Sequence, residues 1–274
     1  MTRKTLRFIA QLLFFILGFL HIVPIFLTVM NSFKTMPELS KSFLTVPPAL
    51  HFENYTSVIK RTFYFRALGN SLFVTSVSLI GILLITTMAS YAITRRRSKI
   101  NHVLYIMFVM GMVMPFATIM IPIMKLLGAL NMTGTWALII VYCALGVSMA
   151  TFVLSGFIES SVPIEMEEAA RIDGANSGKV LFYVVMPMLR PALMTLTMLD
   201  AIWIWNDYLL PSLLLTRKNV HTIPLSQVFL VGQHLQKWTL QFAGFTLSML
   251  PLFLLFFSCQ KYIVSGIAAG AIKG

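Results

Sequence analysis

Long apolar runs separated by short polar stretches extend along the chain from end to end. Six of these runs approach or exceed the roughly 20 residues that a helix needs to cross a bilayer. Because an open strand would leave unpaired backbone groups in lipid, we predict that all six cross as helices. Prolines inside the runs, such as Pro115 and Pro122, predict local kinks. The predicted spans are 8–30, 71–94, 103–124, 136–158, 192–215 and 242–259.

The composition agrees with lipid as the solvent of most of the chain. Of 274 residues, 58% are hydrophobic and 11% are charged, whereas soluble domains average about 25% charged residues. The net charge of +12 would suit a nucleic-acid partner, but the cations lie beside the apolar runs, as membrane topology requires. We therefore predict one all-α, polytopic transmembrane domain over 1–274, with membrane lipid around it and no nucleic-acid partner.

The loops between the runs predict the orientation. Arg95, Arg96, Arg97 and Lys99 crowd into the short connection between the second and third spans. Because lysine and arginine are enriched in cytoplasmic loops, this connection is predicted to be cytoplasmic, and both chain termini with it. Two outer loops, about 31–70 and 216–241, are then long enough to contact a partner.

The second cytoplasmic loop, 159–190, differs from the rest of the chain. It carries five of the nine acidic residues of the protein: Glu159, Glu165, Glu167, Glu168 and Asp173. Pro163 suits the first turn of a helix, and the acidic residues after it favour the helix dipole. Glu167 and Arg171 stand four apart, in the favourable order for a helical ion pair.

A sharp turn is predicted in the middle of this loop. Gly174 can adopt the left-handed conformation that ends a helix, and Asn176 or Ser177 can cap the next one. That second helix, about 178–186, should stop at Pro187. The sequence of the loop therefore predicts two short helices that project into the cytoplasm.

These residues resemble a known signature. Glu168-Ala169-Ala170, then Gly174, then Val184-Val185-Met186-Pro187 is similar to the EAA motif of binding-protein-dependent ABC importer permeases. The motif usually ends Ile-x-Leu-Pro, from which Val184 and Met186 depart conservatively. The stretches 205–211 (WNDYLLP) and 264–274 (VSGIAAGAIKG) extend the resemblance to the second permease of maltose-type sugar importers, across essentially the whole chain.

The resemblance implies a fold, a function and partners. The fold would be that of a type I ABC importer permease in a prokaryotic plasma membrane, importing a sugar or oligosaccharide. Its partners would be a sister permease in a heterodimer, two ATPase subunits that bind ATP and Mg²⁺, and an extracytoplasmic sugar-binding protein. The residues implied to couple to the ATPase are Glu167, Glu168, Ala169, Ala170, Arg171, Asp173, Gly174 and Pro187, together with Gly270, Lys273 and Gly274 of the C-terminal tail.

The chain itself is predicted to bind no ATP, cofactor or metal and to be no enzyme. Residues 174–180 (GANSGKV) superficially resemble a phosphate loop, but three residues rather than four separate the glycines, and Val180 replaces the required Ser or Thr. The main alternative is a gradient-driven secondary transporter or channel, for which an intramembrane carboxylate such as Asp200 would be suited. A membrane scaffold would move no solute. The gradient-driven alternative has no use for an acidic cytoplasmic docking loop.

One face of the fifth span is a candidate substrate path. Asp200, Trp203 and Asp207 recur at i, i+3 and i+7 and therefore share a helical face, with Asn206 beside it. A carboxylate near the bilayer middle costs about 2.5–3.5 kcal/mol on insertion scales, so it should face a subunit interface or a wet cavity. Sugar hydroxyls can donate to carboxylates, and an indole can stack on the C–H face of a sugar. Alternatively, Asp207 only braces helices or a gate.

Overall fold

The computed structural model of the protein describes the backbone of residues 3–96, 98–233 and 237–271, and these residues form helices and connections with no strand. A π-helical segment covers Val180–Val185, and a 3-10 turn covers Lys218–Val220. The helices are α1 (Arg3–Ser32), α2 (Met36–Lys41), α3 (Glu53–Arg61), α4 (Tyr64–Arg95), α5 (Lys99–Val113), α6 (Phe116–Ala129), α7 (Gly134–Ser161), α8 (Ile164–Ile172), α9 (Ser177–Lys179), α10 (Met186–Met188), α11 (Arg190–Asn206), α12 (Leu209–Leu214), α13 (Ile223–Gln233) and α14 (Trp238–Ala271).

Four helices, α1, α4, α7 and α14, are individually long and apolar enough to cross a membrane. Two bent pairs raise the number of candidate spans in the described chain to six if each pair counts as one span. The first pair is α5 with α6, bent by 110°, and the second joins Ser177–Met188 to Arg190–Asn206, bent by 76°. The predicted all-α membrane fold is confirmed, but two of its spans are broken.

The third span is not the kinked helix predicted over 103–124. Helix α5 ends at Val113 and α6 begins at Phe116. Pro115 has no N–H to donate, and its ring favours an extended residue before it, as Met114 shows with φ of −72° and ψ of 119°. Pro122 lies inside α6 without ending it.

The fifth span also differs from the single helix predicted over 192–215. Helix α11 starts earlier, at Arg190, and stops at Asn206, and α12 covers Leu209–Leu214. Between them Asp207 is extended, and its Oδ1 accepts a hydrogen bond of 2.9 Å from the Leu209 N–H. Such a local side-chain bond offers the backbone an alternative to continuing the helix.

One compact unit comprises Leu68–Leu225 and Leu252–Gly274, and α7 lies at its centre. Helix α5 packs along α7, and α7 buries Leu138, Leu154 and Ile158. A Cβ added at Gly146 would lie 2.5 Å from Cδ1 of Ile82 on α4. The absence of a side chain at Gly146 therefore lets α4 approach α7 closely, as small residues do in membrane helix packing.

The other compact unit comprises Met1–Ala67 and Ser226–Pro251. Its small apolar cluster contains Val58, Leu240 and Ala243. The Gln227 amide donates to the Gly244 carbonyl at 2.6 Å, which fixes α13 against α14 within this unit.

Candidate functional site

The turn within residues 159–190, the loop predicted to be cytoplasmic, has the predicted geometry. Gly174 is left-handed, with φ of +84°. The Ala175 N–H donates to the Ala170 carbonyl at 2.9 Å, and the Gly174 N–H donates to the Arg171 carbonyl at 3.0 Å. This pair of bonds is a Schellman motif, which satisfies the last carbonyls of α8. Of the two capping candidates, Asn176 caps α9 by accepting from the Lys179 N–H at 2.9 Å.

The second short helix extends past its predicted end. After α9 the backbone is π-helical over Val180–Val185 and continues as α10, so Pro187 lies within the first turn of α10 and does not stop the helix. Proline is tolerated there because a first-turn N–H needs no intrahelical partner. The bend of 76° falls after Met188.

Glu167 faces inward, which corrects its predicted pairing. It is 3% exposed, and its Oε1 accepts from Nε of Arg95 at 2.7 Å. Its Oε2 accepts from the Tyr91 hydroxyl at 2.8 Å. Among the described residues its ion-pair partner is thus Arg95 and not Arg171, whose Nη2 lies 3.5 Å from the Tyr91 hydroxyl. Arg95 pairs with Glu167 in place of Arg171 because the Arg95 guanidinium reaches the buried face of α8, on which Glu167 lies.

The outer face of α8 is open. Glu168, Ala169 and Asp173 are exposed, and Ile172 is 86% exposed. Since Glu168 and Ile172 stand four apart, they share one face of the helix. An acidic side chain beside an uncovered apolar one suits a docking contact with a cationic, partly apolar partner.

The other predicted coupling residues are spread over the same loop and the C-terminal end. Arg171 and Pro187 are exposed, whereas Ala170 is half-buried and packs against the core of its unit. Gly270 lies in the last turn of α14, which ends at Ala271. Lys273 and Gly274 lie outside the described residues.

A cavity of about 380 Å³ lies beside the break between α5 and α6. Met114 and Phe116 line it from the break, and Asp200 and Trp203 line it from α11. Asp200 is 8% exposed, and within the described part of the chain its Oδ2 has no hydrogen-bond partner. A buried, unpartnered carboxylate oxygen is costly unless something else supplies a donor.

The remaining residues of the predicted path lie elsewhere. Asn206 donates to the Ile202 carbonyl of its own helix at 2.8 Å. Asp207 accepts from the Tyr142 hydroxyl of α7 at 2.9 Å, and the Tyr142 ring packs edge-on against Trp203 at 5.5 Å. The structure therefore brings Asp200 and Trp203 to one cavity, while Asp207 ties α7 to the junction of α11 and α12.

Sequence reasoning missed Tyr91, Tyr142 and the structural role of Arg95. Arg95 is 72 residues from Glu167, and Tyr142 is 65 residues from Asp207. No helical periodicity links positions so far apart. The available signal was a polar hydroxyl within each apolar span, which required a partner without indicating which one.

Long apolar helices, two bent helix pairs and an ordered acidic loop are the features of a multi-pass membrane protein, and comparison with known proteins gives its family. Residues 81–269 match the family described as binding-protein-dependent transport system inner membrane component. The chain belongs to this family. It is a multi-pass membrane permease subunit of a binding-protein-dependent ABC importer, with an ATPase and a substrate-binding protein as partners, and it is not an enzyme.

Individual relatives support the same conclusion. The chain is 33% identical over 97% of its length, and 97% of the relative's, to the probable starch degradation products transport system permease protein AmyC of Thermoanaerobacterium thermosulfurigenes. It is 31% identical, with 93% of each chain covered, to the multiple sugar-binding transport system permease protein MsmG of Streptococcus mutans. It is 30% identical to the melibiose/raffinose/stachyose import permease protein MelC of Bacillus subtilis, over 99% of this chain and 98% of that one.

A solved structure shares the fold. A chain of a bacterial ABC transporter involved in the import of the acidic polysaccharide alginate superposes with a TM-score of 0.80, covering 96% of this chain and 99% of that one at 24% identity. The predicted type I importer permease fold and the predicted membership of the permease family are confirmed.

Proposed function

We propose that this permease imports a sugar or a short oligosaccharide into the cytoplasm, driven by ATP hydrolysis on separate subunits. Support for the cargo class comes from the names of the relatives, which transport starch degradation products and melibiose, raffinose or stachyose. ATP and Mg²⁺ would be bound by two ATPase subunits and not by this chain. An extracytoplasmic binding protein would deliver the sugar.

The coupling loop, α8 to α10, is the observation that carries the proposal. Its inner face is fastened by Glu167 and its turn is fixed at Gly174, so α8 is a preorganised element on which Glu168 and Ile172 are exposed. Preorganisation lowers the entropy lost on docking. A gradient-driven transporter or a channel has no use for such a surface.

The coupling residues have different roles under this proposal. Glu168, Ala169, Arg171 and Asp173 would contact the ATPase, and Gly174 would hold the turn between the helices. Ala170 and Glu167 face inward and would position α8. The tail residues Gly270, Lys273 and Gly274 are proposed to extend towards the ATPase interface, and Pro187 to shape the end of the loop.

A sister permease and lipid would cover the apolar surface. Helix α1 contains an 18-residue apolar window of which nothing is buried within the described chain. Phe14 and Phe15 on this helix are among the most exposed large side chains. Because water is a poor solvent for such a surface, we propose a heterodimer in the prokaryotic plasma membrane, with both termini cytoplasmic.

The cavity at the third-span break is the proposed passage for the sugar within this subunit. A volume of about 380 Å³ falls at the lower end of the range of small-molecule sites. Asp200 would accept from sugar hydroxyls, and Trp203 would contact the apolar face of the ring. Asn206 and Asp207 would shape the outer end of α11.

The test uses the assembled complex in proteoliposomes with its ATPase and binding protein. We expect uptake to require ATP, and the binding protein to stimulate hydrolysis with some members of a sugar panel. Glu168→Lys should abolish uptake, because a like charge would then meet the cationic partner. Glu159→Lys, the same change at an exposed residue near the end of α7, is the matched control. Uptake driven by an ion gradient without ATP would contradict the proposed function, and normal uptake by Glu168→Lys would contradict the assignment of Glu168 to the ATPase contact.

A further inference from the structure

We infer that Tyr91, Arg95 and Glu167 form a clamp that makes α4 move together with the coupling helix α8, so that transport is coupled to ATP hydrolysis through α4. This inference rests on the proposed function, in which α8 docks on the ATPase. It assigns Arg95 and Tyr91 as positioning residues, although neither lies on the loop itself.

The clamp joins three elements at one guanidinium. Arg95 is the last residue of α4. Its Nε donates to Oε1 of Glu167 on α8 at 2.7 Å, and its Nη2 donates to the Val162 carbonyl between α7 and α8 at 2.7 Å. The rigid fork of arginine donors suits such a two-point contact. The Tyr91 hydroxyl, one turn earlier on α4, donates to Oε2 of Glu167 at 2.8 Å.

Arg95 differs from the next residue, Arg96, in burial. The side chains of Arg95 and Glu167 are 14% and 4% exposed, whereas Arg96 is exposed. Charge alone would satisfy the topology requirement at either position. A buried ion pair also contributes little net stability relative to an apolar pair of similar size, and its best-attested use is to fix one arrangement of the elements it joins.

The far end of α4 is also fastened within the same compact unit. The Asn70 amide donates to the carbonyls of Asn219 and His221, both at 3.0 Å. The Ser71 hydroxyl accepts from the Ile223 N–H at 2.9 Å. Helix α4 has 32 residues and is therefore about 48 Å long. A displacement of α8 is thus passed along α4 from the cytoplasmic loop to the segment 219–223 at its other end.

The decisive measurement is the number of sugar molecules imported per ATP hydrolysed, in the complete complex in proteoliposomes. We expect Arg95→Gln and Glu167→Gln each to retain ATP hydrolysis while this ratio falls by about tenfold, a usual size for coupling between sites. The ratio in the double variant should be no lower than in either single variant, because all three variants lose the same contact between Arg95 and Glu167. Arg95→Lys should recover part of the ratio, since it keeps the charge.

Two further variants make the outcomes distinguishable. Arg96→Gln removes the same charge from the same loop and should leave the ratio unchanged. If Arg95→Gln does not assemble, Tyr91→Phe tests the same contact by removing one hydroxyl, and it should lower the ratio by a few-fold. The clamp would be overturned if the fold-decreases of the two single variants multiplied in the double variant. It would also be overturned if the ratio were unchanged in both Tyr91→Phe and Arg95→Gln.

Glu168→Lys separates this inference from the proposed function. Loss of uptake in Glu168→Lys with a normal ratio in Arg95→Gln means that docking stands and the clamp fails. A lowered ratio in Arg95→Gln with normal uptake in Glu168→Lys means that the clamp stands and the assigned docking contact fails.

Discussion

Gly174 holds the turn of the coupling loop by its conformation alone. Its φ is +84°, and a Cβ added there would meet open space. Replacement therefore costs only backbone strain, about 1–2 kcal/mol for an ordinary L-residue. We expect Gly174→Leu to reduce ATP-dependent uptake severalfold without loss of membrane insertion.

The matched variant is Gly174→Asn. Asparagine adopts the left-handed conformation more readily than leucine, so uptake should stay close to that of the wild type. Uptake and the amount of assembled complex are measured for both variants side by side. Equal loss in the two would mean that the conformation of residue 174 does not limit coupling.

Asp200 is the second residue whose surroundings predict a measurable effect. Asp200→Asn keeps the shape of the side chain and removes its charge, and Trp203→Ala removes the indole that lines the same cavity. If this cavity lies on the sugar path, either change should alter uptake or its selectivity among sugars, because a sugar hydroxyl then loses its carboxylate acceptor or the ring loses its stacking face. Basal ATP hydrolysis should persist.

Thr197→Val is the control on the same helix. Thr197 donates to the Leu193 carbonyl of its own helix at 2.7 Å, and the variant should transport as the wild type does. Unchanged uptake of every sugar by both Asp200→Asn and Trp203→Ala would remove this face from the path. Recognition would then rest with the sister permease and the binding protein.

At the scale of helices, the sequence predicts where spans lie better than where they break. Apolar length predicts six segments because lipid imposes it, and the described chain has up to six candidate spans if each bent pair counts as one. Pro115 indicates a kink, but the bend of 110° also depends on what α5 and α6 pack against. At Asp207 the sequence offers Pro211, four residues on, whose ring and missing N–H disfavour a helical Asp207 carbonyl. The hydrogen bonds from Leu209 and from Tyr142 of another helix, which hold the break, carry no signal in the sequence.

The contact between Tyr142 and Asp207 should stabilise that break. Tyr142→Phe would leave a partly buried carboxylate oxygen without its donor, at a cost of about 1–3 kcal/mol. We expect a lower thermal midpoint for the purified complex. Tyr105→Phe, the same change at a half-buried tyrosine on α5, should leave the midpoint unchanged. Equal midpoints for the two variants would show that the hydroxyl contributes nothing to the junction.

At the scale of the molecule, the local geometry of the candidate site was predictable and its tertiary contacts were not. Gly174, Asn176 and the start of α8 follow from residue types and short spacings. The partner of Glu167 does not, because Arg171 satisfied the local rule and Arg95 lies on another span. A helical pair rule compares neighbours on one helix and contains no information on burial.

The orientation of the whole chain gives the last prediction. The cationic connection after α4 predicts that Ser98 and Ser177 lie in the cytoplasm and Thr216 outside, and all three positions are exposed. In a variant without Cys143 and Cys259, a single cysteine at Ser98 or Ser177 should react with a membrane-impermeant thiol reagent only when the cytoplasmic face is opened. A cysteine at Thr216 should react on intact cells. Leu154 is fully buried, so a cysteine there should not react from either side. Labelling at this position would indicate unfolded protein. Labelling at Ser98 and Thr216 from the same side would require an even number of crossings between them. The three crossings predicted there, and with them the six-span topology, would then be wrong.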